Sequence, residues 1–126
     1  MRYDDLLGIP YKEHGRSKDE GFDCYGVCVE MCKRDGKKLK DPYTIAHLAS
    51  DKVSDYISGK INIRKIDRPI IGGLVECTHK GSLHAGYIVG RGLMIHATID
   101  KGVRVTPIAA MKPIAYYEVT DESDIV

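Results

Sequence analysis

The sequence predicts one α+β domain, with helices first and an antiparallel sheet after them. Two observations carry the prediction: apolar residues recur every three or four positions in the first half, and every two positions beyond Pro69. A third bounds it, since 126 residues with 43% hydrophobic and 29% charged side chains suit a single core. The domain is taken as 1–126. Helices and strands segregated along the chain argue against alternating βαβ units.

Taken in order, Tyr3 to Leu7 reads as a short helical turn stopped by Gly8 and Pro10, and Gly15 to Gly21 as a polar loop. Asp23 is suited to cap a helix running to about Arg34, which Asp35-Gly36 would stop. Within it Val27, Cys28, Met31 and Cys32 form one buried stripe. A second helix is predicted from Asp41-Pro42 to about Ser58, turning Ile45, Leu48, Val53, Tyr56 and Ile57 inward, with Gly59 ending it. Short apolar runs follow at Leu74 to Thr78, Leu83 to Val89, Leu93 to Thr98, Val103 to Pro107 and Ile114 to Val119. They read as a meander in a sheet of five to six strands.

Charge and composition exclude several roles. The 19 Lys and Arg against 18 Asp and Glu leave a formal charge of +1, so no broad field exists to hold phosphate backbones. Nucleic acid is therefore not expected as a partner. No stretch has the apolar length of a membrane span, and Asp4 and Asp5 stand where a signal peptide would be apolar. A cytoplasmic location, or export by a route that leaves no mark on the chain, and no membrane partner are expected on this basis.

The four cysteines stand at 24, 28, 32 and 77. On a helix the first three share one face, about 6 Å apart. Reduced thiols are expected, with Cys28 and Cys32 acting as small buried hydrophobes.

Chemistry concentrates on Cys24, His84 and His96. With Asp23 as cap, Cys24 takes the first helical position, where free N–H groups and the helix dipole favour a thiolate and can hold an oxyanion. If Gly90-Arg91-Gly92 is a three-residue hairpin loop, Val89 faces Leu93, Gly86 faces His96 and His84 faces Thr98. His84 and His96 then project from one face as diagonal neighbours at a Cβ spacing of about 7 Å, and Gly86 leaves room beside His96. The other face gathers Leu83, Ala85, Tyr87, Val89, Leu93, Ile95 and Ala97 into an apolar layer. A loop one residue shorter or longer would separate the histidines.

Each residue also has a plainer reading. Cys24 alone could be a third buried thiol, and either histidine a strand residue bonded to a carbonyl. The shared face of the histidines favours a thiol nucleophile, a base and an orienting residue. Cys-x₃-Cys on a helix does not match the usual zinc spacing, so no metal or other cofactor is expected. His14, His47 and His79 read as surface or loop residues, and Lys33, Arg34, Lys37, Lys38 and Lys40 as a solvated helix end.

In these residues the chain resembles the NlpC family of cell-wall cysteine peptidases in the papain-like clan. The resemblance lies in Pro10-Tyr11, Gly15, Gly21-Phe22-Asp23-Cys24 with Gly26, Gly73-Leu74-Val75, His84-Ala85-Gly86, Met94-Ile95-His96 and Gly102-Val103. It implies a papain-like NlpC-type fold with N-terminal helices packed on the sheet. It also implies Cys24 as nucleophile, His84 as general base and acid, and His96 as orienting residue. Tyr11 would help bind substrate or its oxyanion, and Asp23 would help hold the free amino end of a stem peptide. The reaction implied is hydrolysis of an amide in peptidoglycan stem peptides, commonly after D-γ-glutamyl and before a diamino acid.

The chain departs from the pattern at three places: Tyr25 where serine is usual, His14-Gly15 where two glycines are common, and Gly73 in place of an aspartate. An aromatic residue after the nucleophile resembles the phage-type branch. Two further readings stand beside the peptidase: a phage or prophage tail component that uses the fold for docking, with phage tail proteins as partners and the virion as location, and amidase, transglutaminase-like or acyltransferase chemistry on the same Cys-His pair.

Overall fold

A computed structural model describes residues 3–41 and 61–120. The predicted second helix falls almost wholly on 42–60 and lies outside the described residues. A 3-10 turn at Asp4–Leu6 opens the fold. A two-stranded ladder follows, β1 (Arg16–Ser17) with β2 (Gly21–Phe22), where the sequence suggested only a loop. Helix α1 spans Cys24–Arg34. The large sheet comprises β3 (Ile63–Ile66), β4 (Leu74–His79), β5 (Ser82–Gly90), β6 (Leu93–Thr98), β7 (Gly102–Pro107) and β8 (Pro113–Val119), with a 3-10 turn at Ile108–Met111 before β8.

The start and stop of α1 are written locally. Asp23 has extended backbone, and its carboxylate accepts from the Gly26 N–H at 2.7 Å. At the other end Gly36 takes φ 77°, a conformation glycine adopts without penalty, and the Lys37 N–H closes on the Cys32 carbonyl at 2.8 Å. Between the caps Val27, Cys28, Met31 and Cys32 are completely buried, as the spacing predicts.

All pairings in the sheet are antiparallel, in the order β3-β8-β4-β5-β6-β7. Only β4 to β7 form a meander, because β8 returns across the fold to pair with β4. The sixth strand, β3, precedes Pro69 and lies at the edge beside β8. With only four residues and a half-exposed burial pattern, it offers little periodicity to read.

The predicted histidine register holds by a different route. Tyr87 pairs with Ile95 and Ile88 with Met94, the offset expected, but Gly90 pairs with Leu93 across a two-residue turn. A bulge between Ile88 and Gly90 supplies the missing residue, so everything below it keeps its face.

Alternation splits the sheet into two packed faces. One, with Leu74, Tyr87, Val89, Ile95, Ala97, Ala115 and Tyr117, packs with α1 through Val27, Cys28, Met31 and Cys32. The other buries the smaller cluster Val75, Cys77, Ile88, Met94, Ile108 and Met111. The five strands read from sequence carry both.

The N-terminal segment straps the free edge of β7. The Gly8 N–H bonds the Val103 carbonyl and the Val103 N–H bonds the Ile9 carbonyl, both at 2.9 Å. Gly102 permits this approach, since it has φ 70° and a Cβ there would lie 2.4 Å from the Ile9 oxygen. Beyond the strap, Phe22 donates to the Pro10 carbonyl and accepts from the Lys12 N–H, which places Tyr11 next to the start of α1.

At the helix end Lys33, Lys37 and Lys38 are exposed, as expected, and some of its charges are also paired. Arg34 pairs with Asp5 and Glu30, while the Lys37 ammonium donates to the Gly72 carbonyl and lies 5.8 Å from the Tyr87 ring centre.

Candidate active site

Cys24 lies at the first position of α1, and its side chain lines a cleft of about 340 Å³ together with Tyr11, His79, His84, Thr98 and Asp100. The cleft opens where two ladders part. The β5–β6 pairing ends at Tyr87 with Ile95, whereas β5 stays with β4 down to Ser82 and β6 stays with β7 to Thr98. A helix packed on one face of the sheet can therefore bring its first residue to an imidazole of the other face.

The histidines meet as the register requires. His84 Nε2 lies 2.8 Å from His96 Nδ1, with the rings edge to face at a centroid distance of 5.0 Å. His96 is completely buried, and its Nε2 lies 2.9 Å from Thr106 Oγ1. Thr106 was missed in the sequence. Carrying the register through the β6–β7 turn would have found it, because His96 pairs with Arg104 and Thr106 lies two residues along the same face.

His79 is a correction. Expected to be a surface or loop residue, it closes β4 and puts its ring centroid 5.4 Å from that of His84. Its partner across the ladder is Ser82, so His79, His84 and His96 form a diagonal on one face. Gly86 also differs from expectation: Met94 fills the space above it, and a Cβ there would lie 2.4 Å from the Met94 methyl.

The electrostatics reverse the expected thiolate. Burial pushes the Cys24 thiol up to about 11, and the N–H groups of Ala85 and Tyr25 facing the sulfur offset only part of it. Burial also pulls His84 down to about 3, helped by His96 and His79, and His96 down to about 4, helped by Arg104. At neutral pH the resting pair is thiol and neutral imidazole. The helix terminus loses here because Cys24 is only 8% exposed. Tyr11, half-buried beside Cys24 and Asp23, is pushed up to about 12, so its hydroxyl keeps its proton.

Asp23 is heavily engaged. Besides capping Gly26, it accepts from the His14 N–H at 3.0 Å and from Arg16 Nη1 at 2.8 Å, and Arg16 also pairs with Asp41. Tyr25 does not line the cleft; it is buried, its hydroxyl donates to the Lys40 carbonyl, and Arg16 lies over its ring. All four cysteines are free thiols and all are buried. No described helix is long and apolar enough to cross a membrane.

Comparison with known proteins gives one pattern. The model of the NlpC/P60 family matches residues 8–119. The fold is similar to the NlpC/p60 domain of the peptidoglycan hydrolase SagA, at TM-score 0.60 and 21% identity, covering 94% of this chain and 92% of that one. It is similar to the P60 domain of an antigen from M. avium subspecies paratuberculosis, at TM-score 0.61 and 22% identity over 94% of this chain and 88% of that one. An NlpC/P60 family protein from Bacillus cereus ATCC 10987 matches at TM-score 0.58 and 24% identity, with 88% of this chain covering 35% of that one. No curated protein gives a significant match.

Proposed function

The chain belongs to the NlpC/P60 family, and from that premise we propose that it is a cysteine peptidase that hydrolyses the amide between D-γ-glutamyl and a diamino acid in peptidoglycan stem peptides. The observation that carries the reading is that Cys24 and His84 line one cleft while His84 Nε2 is held at 2.8 Å by His96.

The hydrogen-bond chain dictates the tautomers. For His84 to take the thiol proton at Nδ1, its Nε2–H must donate to His96 Nδ1, and the Nε2–H of His96 then donates to the Thr106 hydroxyl. Because the resting pair is neutral, the proton moves from sulfur to imidazole as the sulfur attacks the carbonyl carbon. The C–S bond forms and the carbonyl oxygen becomes an oxyanion, which the Cys24 N–H and the Tyr11 hydroxyl would hold. His84 returns its proton to the leaving nitrogen as the C–N bond breaks, leaving a thioester. A water that loses its proton to His84 attacks that thioester, releasing the carboxylic acid and the thiol. Asp23 would take the amino end of the stem peptide at the one acceptor position left of about four on a carboxylate.

The test is mass spectrometry of muropeptides digested with the purified chain. Shortened stem peptides are expected from the wild type and none from Cys24→Ala. Release of intact stem peptide from the sugar would identify an amidase, and turnover retained in Cys24→Ala would overturn the thiol mechanism. Intact muropeptides would leave the fold a docking role, as in a tail component.

A further inference from the structure

Past His79 the cleft adjoins a second hollow of about 360 Å³, lined by His79, Lys80, Gly81, Ala110, Met111 and Lys112 together with Thr78. It lies between the β4–β5 turn and the 3-10 turn that precedes β8. His79 and Lys80 line both hollows, so one surface leads from the catalytic imidazole into the second. We infer that this second hollow is a subsite for a carboxylate carried by the amine fragment that leaves during hydrolysis. The inference rests on the peptidase reading above and adds to it the group that is recognised and the residues that recognise it.

Direction comes from the chemistry. The acyl half of a substrate stays bonded to the Cys24 sulfur, whereas the amine half leaves the carbonyl carbon with the nitrogen that His84 protonates. On its own face His84 has two imidazole neighbours: His96, completely buried, and His79, which stands at the junction of the hollows. An amine fragment leaving over His84 on the open side therefore passes His79 into the second hollow.

Charge selects the ligand. Lys80 and Lys112 both line the hollow, and no carboxylate does among the described residues. Asp100 lines the neighbouring cleft and lies 3.5 Å from the Lys80 ammonium, an exposed pair that a substrate carboxylate can exchange at little cost. Lys112 adds a second cation from the opposite wall. The volume lies at the small end of the range for small-molecule sites, about 300–1,000 Å³, and fits one amino-acid residue.

The test compares two synthetic substrates, γ-glutamyl-diamino acid peptides whose diamino residue carries either a free carboxylate or a carboxamide next to the scissile nitrogen. The wild type is expected to favour the carboxylate about fivefold in kcat/KM, through KM, and less so at high salt. Lys112→Gln and Lys80→Gln should each bring the ratio toward one, and Lys112→Glu should invert it. Lys101→Gln, exposed on the β6–β7 turn outside both hollows, should keep the wild-type ratio. Equal hydrolysis of both substrates by the wild type, or a ratio that survives the Lys112 and Lys80 changes, would overturn the subsite and leave the peptidase reading intact. Hydrolysis of neither substrate would overturn both.

Discussion

The two faces of the large sheet differ in what they bury. Toward α1 the strands present an apolar layer, where Tyr87, Ile95 and Ala97 are completely buried against the helix. On the other face a smaller cluster around Val75, Cys77, Ile88 and Met94 gives way, toward the ends of β4 to β6, to the diagonal of His79, His84 and His96. The same strands thus hold the fold together with one set of alternate residues and carry the polar chemistry with the other. Where β5 and β6 part, Cys24 from the helix side and His84 from the far side line one cleft.

This division is broken most sharply by two alanine substitutions on neighbouring strands. His84→Ala should lower kcat by about 10² to 10⁴, the usual worth of a positioned base, with an unfolding midpoint close to wild type. Ile95→Ala, on the apolar face, should cost about 2–5 kcal/mol of stability while the protein that remains folded turns over normally. Steady-state kinetics beside denaturant unfolding read both. A large stability loss in His84→Ala or a large kcat loss in folded Ile95→Ala would show that the faces are not separable.

Much of this was legible in the sequence because it depends on local rules. Asp23 and Asp35-Gly36 mark the helix, and alternation from Leu74 to Val119 yields five strands and their faces. The histidine pair followed from a turn whose length was misread, and it survived because the bulge after Ile88 compensates. What escaped is non-local. The return of β8 to β4 and the place of β3 beside it depend on contacts across the whole fold. The role of His79 depends on the β4–β5 register, and the raised thiol of Cys24 on how deeply the first turn is packed, which no spacing records. Asn62 is similar: completely buried, it bonds Lys38, Lys40 and Thr120, segments far apart in the chain.

Two glycines sharpen the comparison at smaller magnitude, one on the helix and one on the histidine face. A Cβ at Gly26 would lie 2.2 Å from the Gly15 carbonyl oxygen, a backbone atom that already accepts from Arg16 Nη1. Gly26→Ala should therefore shift the first turn of α1, costing about 1–3 kcal/mol and lowering kcat because Cys24 moves with it. At Gly86 the nearest atom is the end of the Met94 side chain, which can turn aside. Gly86→Ala should cost less on both measures. Equal losses at the two positions would mean that Met94 is held as firmly as backbone.

Acid also separates the faces. His84 and His96 are held neutral in the fold, down to about 3 and about 4, but in the unfolded chain they charge near their ordinary value of about 6.5. Below about pH 6.5 the unfolded state therefore binds more protons. Stability contributed by these neutral rings is present above that pH and is lost as pH falls toward 4, by at most about 1.4 kcal/mol per pH unit for each imidazole. Cys28 and Cys32 on the helix side do not do the same, because burial keeps them neutral across this range and moves their titration to higher pH. Urea unfolding from pH 7 to pH 4 should show the wild type weakening with a slope that His96→Gln reduces and His84→Gln with His96→Gln reduces further. An unchanged slope in the double variant would place the acid sensitivity elsewhere in the fold.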